Sequence, residues 1–137
     1  MNDVLITVKG TQTANDGPEV IELTTQGKLA YKDDKVFISY KSDDVQNTNV
    51  STTIKLDSND RIIVLRSGGI ESKMVIEKGK KSKCFYSVSN SDLVLNIYGE
   101  KIENNIENNG ILVFEYTIDI DNTFVSRNRI EIYIKEV

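Results

Sequence analysis

The sequence contains no histidine and a single cysteine. Without histidine, the chain has no Ser-His-Asp triad, no Cys-His pair and no histidine-ligated metal site. One thiol, Cys84, makes neither an internal disulfide nor a four-cysteine zinc or iron–sulfur site. The segment Ser67-Gly68-Gly69 lacks the glycine spacing and the following helix of a phosphate loop. We therefore expect no metal, no cofactor and no enzymatic activity.

Long hydrophobic runs and excess positive charge are also missing. No apolar run approaches the roughly 20 residues that cross a bilayer, and the N-terminus lacks a basic segment followed by a long apolar one. The net charge of −4 repels phosphate backbones. The sequence therefore predicts a cytoplasmic protein with no nucleic-acid partner and no membrane insertion.

Short runs of alternating β-branched and aromatic residues dominate what is present, and clusters of Asn, Asp, Gly, Ser or Lys close them. This period of two predicts strands joined by turns. The stretch 101–109 has paired asparagines and no helical apolar face, so we predict a solvated loop there and no helix. The predicted strands are 4–8, 20–25, 36–40, 50–56, 61–66, 70–78, 83–86, 93–98, 111–120 and 124–137.

A single domain over residues 1–137 follows from the length, because half of 137 residues is too small for an independent core. Short connections favour antiparallel pairing of neighbours. A sheet of ten strands with one apolar face commonly avoids long exposed edges, with their unpaired backbone groups, by curling into a barrel or splitting into a two-sheet sandwich. We predict an all-β fold, an antiparallel meander of about ten strands closed into a barrel.

Three residue patterns suggest chemistry and have simpler explanations. Glu22 points inward in one strand registry, but we favour the other, in which Ile21 and Leu23 face the core and Glu22 faces water. Cys84 is predicted to be a buried wall residue beside Tyr86 rather than a nucleophile. The segment 119–123 begins like a calcium loop but lacks the required Gly and Glu, so it is predicted to be a hairpin turn.

A lysine cluster stands out in this acidic chain. It concentrates around one predicted turn and suggests an anion-binding rim, which Arg66 on the preceding strand would join. Lysines also protect strand edges from pairing with other chains, and that explanation stays open. The cluster consists of Lys73, Lys78, Lys80, Lys81 and Lys83.

Several segments together resemble a known family. They are DVLITVKGTQ at 3–12, VIELTTQG at 20–27, ISY at 38–40, LRSG at 65–68, Ser72, Met74, EKG at 77–79 and the C-terminal IYIKEV. This pattern is similar to the YwiB-like family of bacterial domains of unknown function. The resemblance implies a calycin-like barrel, the class that includes lipocalins and fatty-acid-binding proteins, but no activity.

The polar positions that match this family, together with Tyr86 on the predicted wall, are our candidate ligand-binding residues. They are Thr11, Gln12, Glu22, Arg66, Ser72, Glu77 and Tyr86. They carry no catalytic assignment, because the family has no established site.

Two functions stay open. The first is a barrel that binds a small hydrophobic or anionic ligand, such as an acyl anion. The alternative is a non-enzymatic structural or interaction module that acts through an outer face or by dimerisation. The C-terminal strand, where Ile130, Ile132 and Ile134 alternate with polar residues, is one place for a second chain to pair. An enzyme with Glu22, Arg66 and Glu77 in its cavity ranks last, since its acid–base chemistry would depend on tuned carboxylates alone.

Overall fold

Consecutive strands pair antiparallel along the whole chain, and the first strand pairs with the last. The predicted ten-strand meander closed into a barrel is thus confirmed. The computed structural model describes residues 2–43, 49–88 and 91–137. Its strands are β1 Asn2–Ala14, β2 Gly17–Lys32, β3 Lys35–Asp43, β4 Asn49–Ser58, β5 Arg61–Ser67, β6 Ile70–Glu77, β7 Lys81–Val88, β8 Ser91–Asn105, β9 Ile111–Ile120 and β10 Thr123–Glu136.

Two tight hairpins show how local sequence sets the strand boundaries. Asp33 and Asp34 between β2 and β3, and Asp121 and Asn122 between β9 and β10, all have positive φ. Asp and Asn tolerate this left-handed conformation, which two-residue type I′ hairpin turns require. The segment after Asp119 is therefore a hairpin turn, as predicted. The connection between the predicted strands 83–86 and 93–98 includes residues 89 and 90, which lie outside the described residues.

Residues 101–109 do not form the predicted loop but the end of a strand and one helical turn. Strand β8 continues to Asn105 past an irregularity between Gly99 and Lys101, and it places Ile102 opposite Phe114 of β9. A single helical turn, α1 (Ile106–Asn109), follows and buries Ile106. The asparagine-rich composition favoured a loop, but burial of two isoleucines and pairing with β9 outweigh that local preference.

The hydrophobic core fills one half of the barrel. We call this the lower half; it contains the β2–β3, β4–β5 and β6–β7 turns and α1, and the β1–β2, β5–β6 and β9–β10 turns lie at the upper end. Most inward side chains of the lower half are buried, several of them with no solvent exposure, and α1 adds Ile106 to the same cluster. These fully buried residues include Ile6, Ile38, Ile62, Ile76, Ile97, Leu112 and Ile132.

Candidate functional site

A row of polar side chains crosses the inner wall of the upper half. Strand register places Tyr40 opposite Thr52, Thr52 opposite Arg66, Arg66 opposite Ser72, and Ser72 opposite Tyr86. Residues directly opposite on paired strands share one face of the sheet. Thr52 is 3% exposed, so this face is the interior. We call these five residues the inner row.

The inner row retains contact with solvent. Arg66 is exposed, and Ser72 and Tyr86 are half-buried, although all three lie on the inner face. A filled barrel would bury such side chains completely, as the lower half does with Ile62 and Ile76. Solvent therefore reaches the inner face of the upper half at these three positions, which lie near the upper ends of their strands.

Arg66 differs from the other arginines in its partners. Arg61, Arg127 and Arg129 each pair with a carboxylate. In the part of the chain that the structure describes, Arg66 forms no ion pair. A guanidinium group offers a planar set of donors that suits carboxylates and phosphates. Arg66 thus has free capacity to bind an anion inside the barrel.

Two buried tyrosines surround this positive charge. The pKa of Tyr116 is raised to about 12, mainly because burial raises it more than the nearby charge of Arg66 lowers it. Burial also raises the pKa of Tyr40, against the lowering effects of Arg66 and of a hydrogen bond with Thr52. Both phenols are therefore protonated at neutral pH. The site combines one positive charge with neutral hydroxyl groups.

A second polar row extends this site across β10 to the upper end. Asn128 lies opposite Tyr116 on one side and Gln12 on the other. The amide nitrogen Nδ2 of Asn128 donates a hydrogen bond to Oγ of Ser126 at 3.1 Å, and both side chains are buried. Buried polar groups are normally paired in this way. The pair gives the wall fixed polar atoms near Tyr116.

Sequence reasoning missed several of these residues. Tyr40, Thr52, Tyr116, Ser126 and Asn128 were not among the candidates. The available signal was a polar or phenolic residue at an inward position of an apolar alternation, as where Ser126 and Asn128 precede Ile130 and Ile132. That pattern marks a polar patch on an otherwise apolar inner wall.

Strand register sorts the candidate ligand-binding residues into two groups. Gln12, Arg66, Ser72 and Tyr86 lie on the inner face, Gln12 at the exposed upper end. The others lie on the outer face: Thr11 opposite Arg129, Glu22 opposite Lys9, and Glu77 opposite Arg61.

The hypothesis of a catalytic cavity lined by Glu22, Arg66 and Glu77 is therefore wrong. Strand parity directs Glu22 and Glu77 away from the interior, and Glu77 pairs instead with Lys80 at 3.1 Å. The favoured interpretation of Glu22 as facing water is confirmed. Ile21 lies on the inner face as expected but is 66% exposed, because it is near the open upper end.

The lysines do not form one rim with Arg66. Lys78, Lys80 and Lys81 lie at the β6–β7 turn of the lower end, whereas Arg66 faces the interior of the upper half. Lys81 pairs with Asp119 at 3.1 Å. The positive charge at this turn is thus partly neutralised by a carboxylate.

The two remaining lysines also lie away from the interior. Lys73 pairs in register with Phe85, and Lys83 with Asn96, both on the outer face. The five lysines therefore do not form the predicted anion-binding rim with Arg66.

Cys84 and the C-terminal strand have structural explanations. Cys84 is buried in the core, as predicted, and burial raises the pKa of its thiol. Strand β10 pairs with β1 on one edge and β9 on the other. Its isoleucines, Ile132 among them, point inward. The C-terminal strand thus has no free edge, which corrects its proposed role in pairing with a second chain.

The described residues form neither a cluster of metal ligands nor a helix that could span a membrane. In the ranges 2–43, 49–88 and 91–137, no three Cys, Asp or Glu side chains converge on a point that a metal ion would occupy. The one helix described, α1, has four residues, and no described helix has the length and apolar character to span a bilayer.

Comparisons with known proteins identify a fold and a family. Residues 6–132 match the model of a family described as a domain of unknown function (DUF1934). The crystal structure of the ywiB protein from Bacillus subtilis is similar, with a TM-score of 0.79 and 22% sequence identity. The match covers 96% of this chain and 91% of that protein. No curated protein matches.

Proposed function

Because the chain belongs to the family described as a domain of unknown function (DUF1934), we propose a function from its geometry: the upper barrel binds a small amphipathic anion. The observation that carries this proposal is Arg66, an inward-facing, solvent-accessible guanidinium with no carboxylate partner among the described residues. A guanidinium without a carboxylate partner is free to form a bidentate pair with the carboxylate or phosphate of a ligand.

Neutral donors beside Arg66 support an anionic group at this position. The hydroxyls of Tyr40 and Tyr116 remain protonated at neutral pH because burial raises their pKa values. Ser72 lies directly opposite Arg66 in the strand register. A carboxylate or phosphate held by one guanidinium and several hydroxyls has both charge compensation and directional hydrogen bonds.

Apolar side chains nearby support a hydrocarbon part on the same ligand. Four inward residues of the upper half are only partly buried and pack against the lower core. They are Leu23, Met74, Leu95 and Ile118. A chain laid along them would remove apolar surface from water, at about 25 cal/mol per Å². The ligand class is therefore an acyl or isoprenoid anion rather than an inorganic ion.

Thermal-shift measurements with dodecanoic acid, dodecyl phosphate and farnesyl phosphate test this function. We expect at least one to raise the melting temperature of the wild type, since a ligand that binds only the folded state stabilises it. Arg66→Met should abolish the shift. Arg127→Met, which removes an outer arginine paired with Glu100, should preserve it.

Native mass spectrometry of protein purified from its own host provides a second readout. A bound mass in the range of an acyl or isoprenoid anion, lost in Arg66→Met, supports the proposal. No bound mass and no thermal shift with any of the three probes would overturn it.

A further inference from the structure

Strand β2 is paired over most of its length on one side and only over its lower part on the other. Toward β1, its register runs from Gly17 to Leu29. Toward β3, it runs only from Gly27 to Lys32. Among the described residues, 17–26 therefore have no partner strand on the β3 side. We call the middle of this stretch, residues 18–25, the free edge.

Alternate residues of the free edge direct their backbone groups away from β1. Asp33 and Asp34 both have positive φ, as in a two-residue type I′ turn, whose flanking residues exchange both backbone hydrogen bonds. Lys32, which precedes this turn, is therefore hydrogen-bonded to β3, and every second residue of β2 points the same way, since its register with β1 is unbroken. On the free edge these residues are Val20, Glu22 and Thr24, and Pro18 by its carbonyl oxygen alone.

The free edge lacks two features that commonly protect such edges from pairing with another chain, namely lysines and β-bulges. No lysine lies in 18–25, the register with β1 shows no bulge, and Pro18 blocks only the outermost position. Side chains are exposed on both faces: Val20 of the outer face is 55% exposed and Ile21 of the inner face 66%. The free edge is thus a template on which a further strand can add.

Carboxylates of the β1–β2 hairpin determine which strand fits. Residues 10–27 include Asp16, Glu19 and Glu22 but no lysine or arginine. Within the described part of the chain, none of these three carboxylates forms an ion pair, although Lys9 lies opposite Glu22 in the register. A second copy of this edge would bring the same negative charges alongside, whereas lysine or arginine on an added strand is attracted to them.

An extended chain is the occupant that matches this row of backbone groups. Donors and acceptors spaced along one edge are satisfied by a strand, whereas a helix has already used its own backbone groups internally. Nucleic acids and anionic lipid surfaces carry the same sign of charge as the hairpin and are repelled.

We propose that the free edge of β2 binds an extended basic segment of a partner protein, which adds as an antiparallel strand. Backbone hydrogen bonds to Val20, Glu22 and Thr24 hold the segment. Lysine or arginine side chains lie opposite Glu19 and Glu22, and an apolar side chain lies opposite Ile21. The contact uses none of the inner-row residues, so it is independent of the proposed ligand site.

Hydrogen exchange measured by NMR tests the pairing with a designed probe, the blocked peptide Thr-Thr-Val-Lys-Val-Val-Lys-Thr, at up to about 1 mM. In the free protein, the amide protons of Val20, Glu22 and Thr24 should exchange faster than those of Ile21 and Leu23, which bond to β1. The peptide should slow the first three by at least about tenfold. A matched peptide, N-methylated at the lysine opposite Glu22 and at the valine opposite Val20, keeps its charge but should not bind.

Protein variants separate the backbone and charge contributions. Val20→Pro removes an outward N–H and should weaken peptide binding at least about tenfold, whereas Val20→Ala keeps that N–H and should retain most of the affinity. Glu22→Lys should weaken binding similarly, and a peptide with glutamates in place of its lysines should restore it. Glu107→Lys, at an exposed position of α1, is the charge control and should bind as the wild type does. Circular dichroism verifies that each variant is folded.

Binding of the peptide should also survive Arg66→Met, which separates this site from the proposed ligand site. Three results would overturn the proposal: no slowing of exchange at Val20, Glu22 and Thr24, equal binding of the N-methylated peptide, or a dimer in sedimentation equilibrium that Val20→Pro dissociates. The last result would show that a second copy of the chain occupies the free edge.

Discussion

Arg66 and Tyr116 lie close enough inside the upper barrel for the guanidinium charge to lower the pKa of the phenol, although the larger effect of burial leaves that pKa at about 12. They come from β5 and β9, strands far apart in the sequence. Barrel closure brings their inner faces together. Among the described residues, the one arginine without a carboxylate partner therefore lies near a buried hydroxyl group.

Replacing Arg66 should therefore raise the pKa values of Tyr116 and Tyr40 further. The positive charge stabilises each phenolate, and its removal in Arg66→Met leaves the burial effect unopposed. Tyrosinate absorbance followed during an alkaline titration measures the change. Arg61→Met, at a position paired with Asp57 on the outer face, serves as the control; equal titration curves for the two variants would contradict the placement of Arg66.

Ile106 is expected to stabilise the lower half of the barrel. It is the buried residue of α1 and belongs to the core cluster. Ile106→Ala should lower the free energy of unfolding by about 3 kcal/mol through lost burial and a residual cavity. Urea denaturation measures this loss. The neighbouring Glu107 is exposed, so Glu107→Ala should change stability by less than about 0.5 kcal/mol.

Two inner-wall glycines should respond differently to alanine. A methyl group at Gly27 would collide with Cδ1 of Ile6 and the carbonyl oxygen of Ser39. Gly27→Ala should therefore destabilise the protein by about 2 kcal/mol. At Gly10 the nearest atom is Cδ1 of Ile130 at 3.6 Å. Gly10→Ala should be neutral or stabilise by up to about 1 kcal/mol, and similar losses for both in chemical denaturation would refute this difference.

Asp57 should make stability dependent on acid pH. A hydrogen bond from Lys35, followed by one from Arg61, holds its pKa below the ordinary value of 3.8. A carboxyl with a depressed folded-state pKa contributes stability above its unfolded pKa and loses it as pH falls through the folded value.

The Asp57→Asn variant tests this dependence. It should have a lower urea midpoint than wild type near neutral pH, and the difference should shrink below about pH 3.8. Asp60→Asn, in the same turn but exposed, is the control. A difference that stays constant down to low pH would show that Asp57 acts by packing alone.

Periodicity predicted most of the fold because the strands have one apolar face. The alternation of Leu112, Phe114 and Tyr116 indicated β9 with its observed bounds. Residues 101–105 escaped prediction because their strand depends on pairing with β9, a long-range interaction that composition does not reveal. The calycin-like assignment rests on the family resemblance and stays a prediction.

The candidate site was only partly predictable, for a physical reason. Which face of a strand points inward depends on register, and a shift of one residue reverses it. The four residues from Ile62 to Leu65 are all apolar, so the sequence left the direction of Arg66 open, and only the strand register places Arg66 on the inner face with Ile62 and Val64. The sequence around Glu22 allowed either face of the strand to point inward. The family pattern does not show which face a side chain occupies. Convergence of Tyr40, Arg66 and Tyr116 depends on closure of the barrel.

Methyl NMR spectra recorded during a titration with dodecanoic acid test most directly whether the upper half of the barrel binds an amphipathic anion. We expect saturable shifts of the methyl signals of Leu23, Met74 and Ile118 in the wild type and none in Arg66→Met. Signals of Ile62 and Ile76 in the filled lower half should stay in place. No saturable shift, or shifts confined to Leu65 and Val94 on the outer face of β5 and β8, would contradict this function.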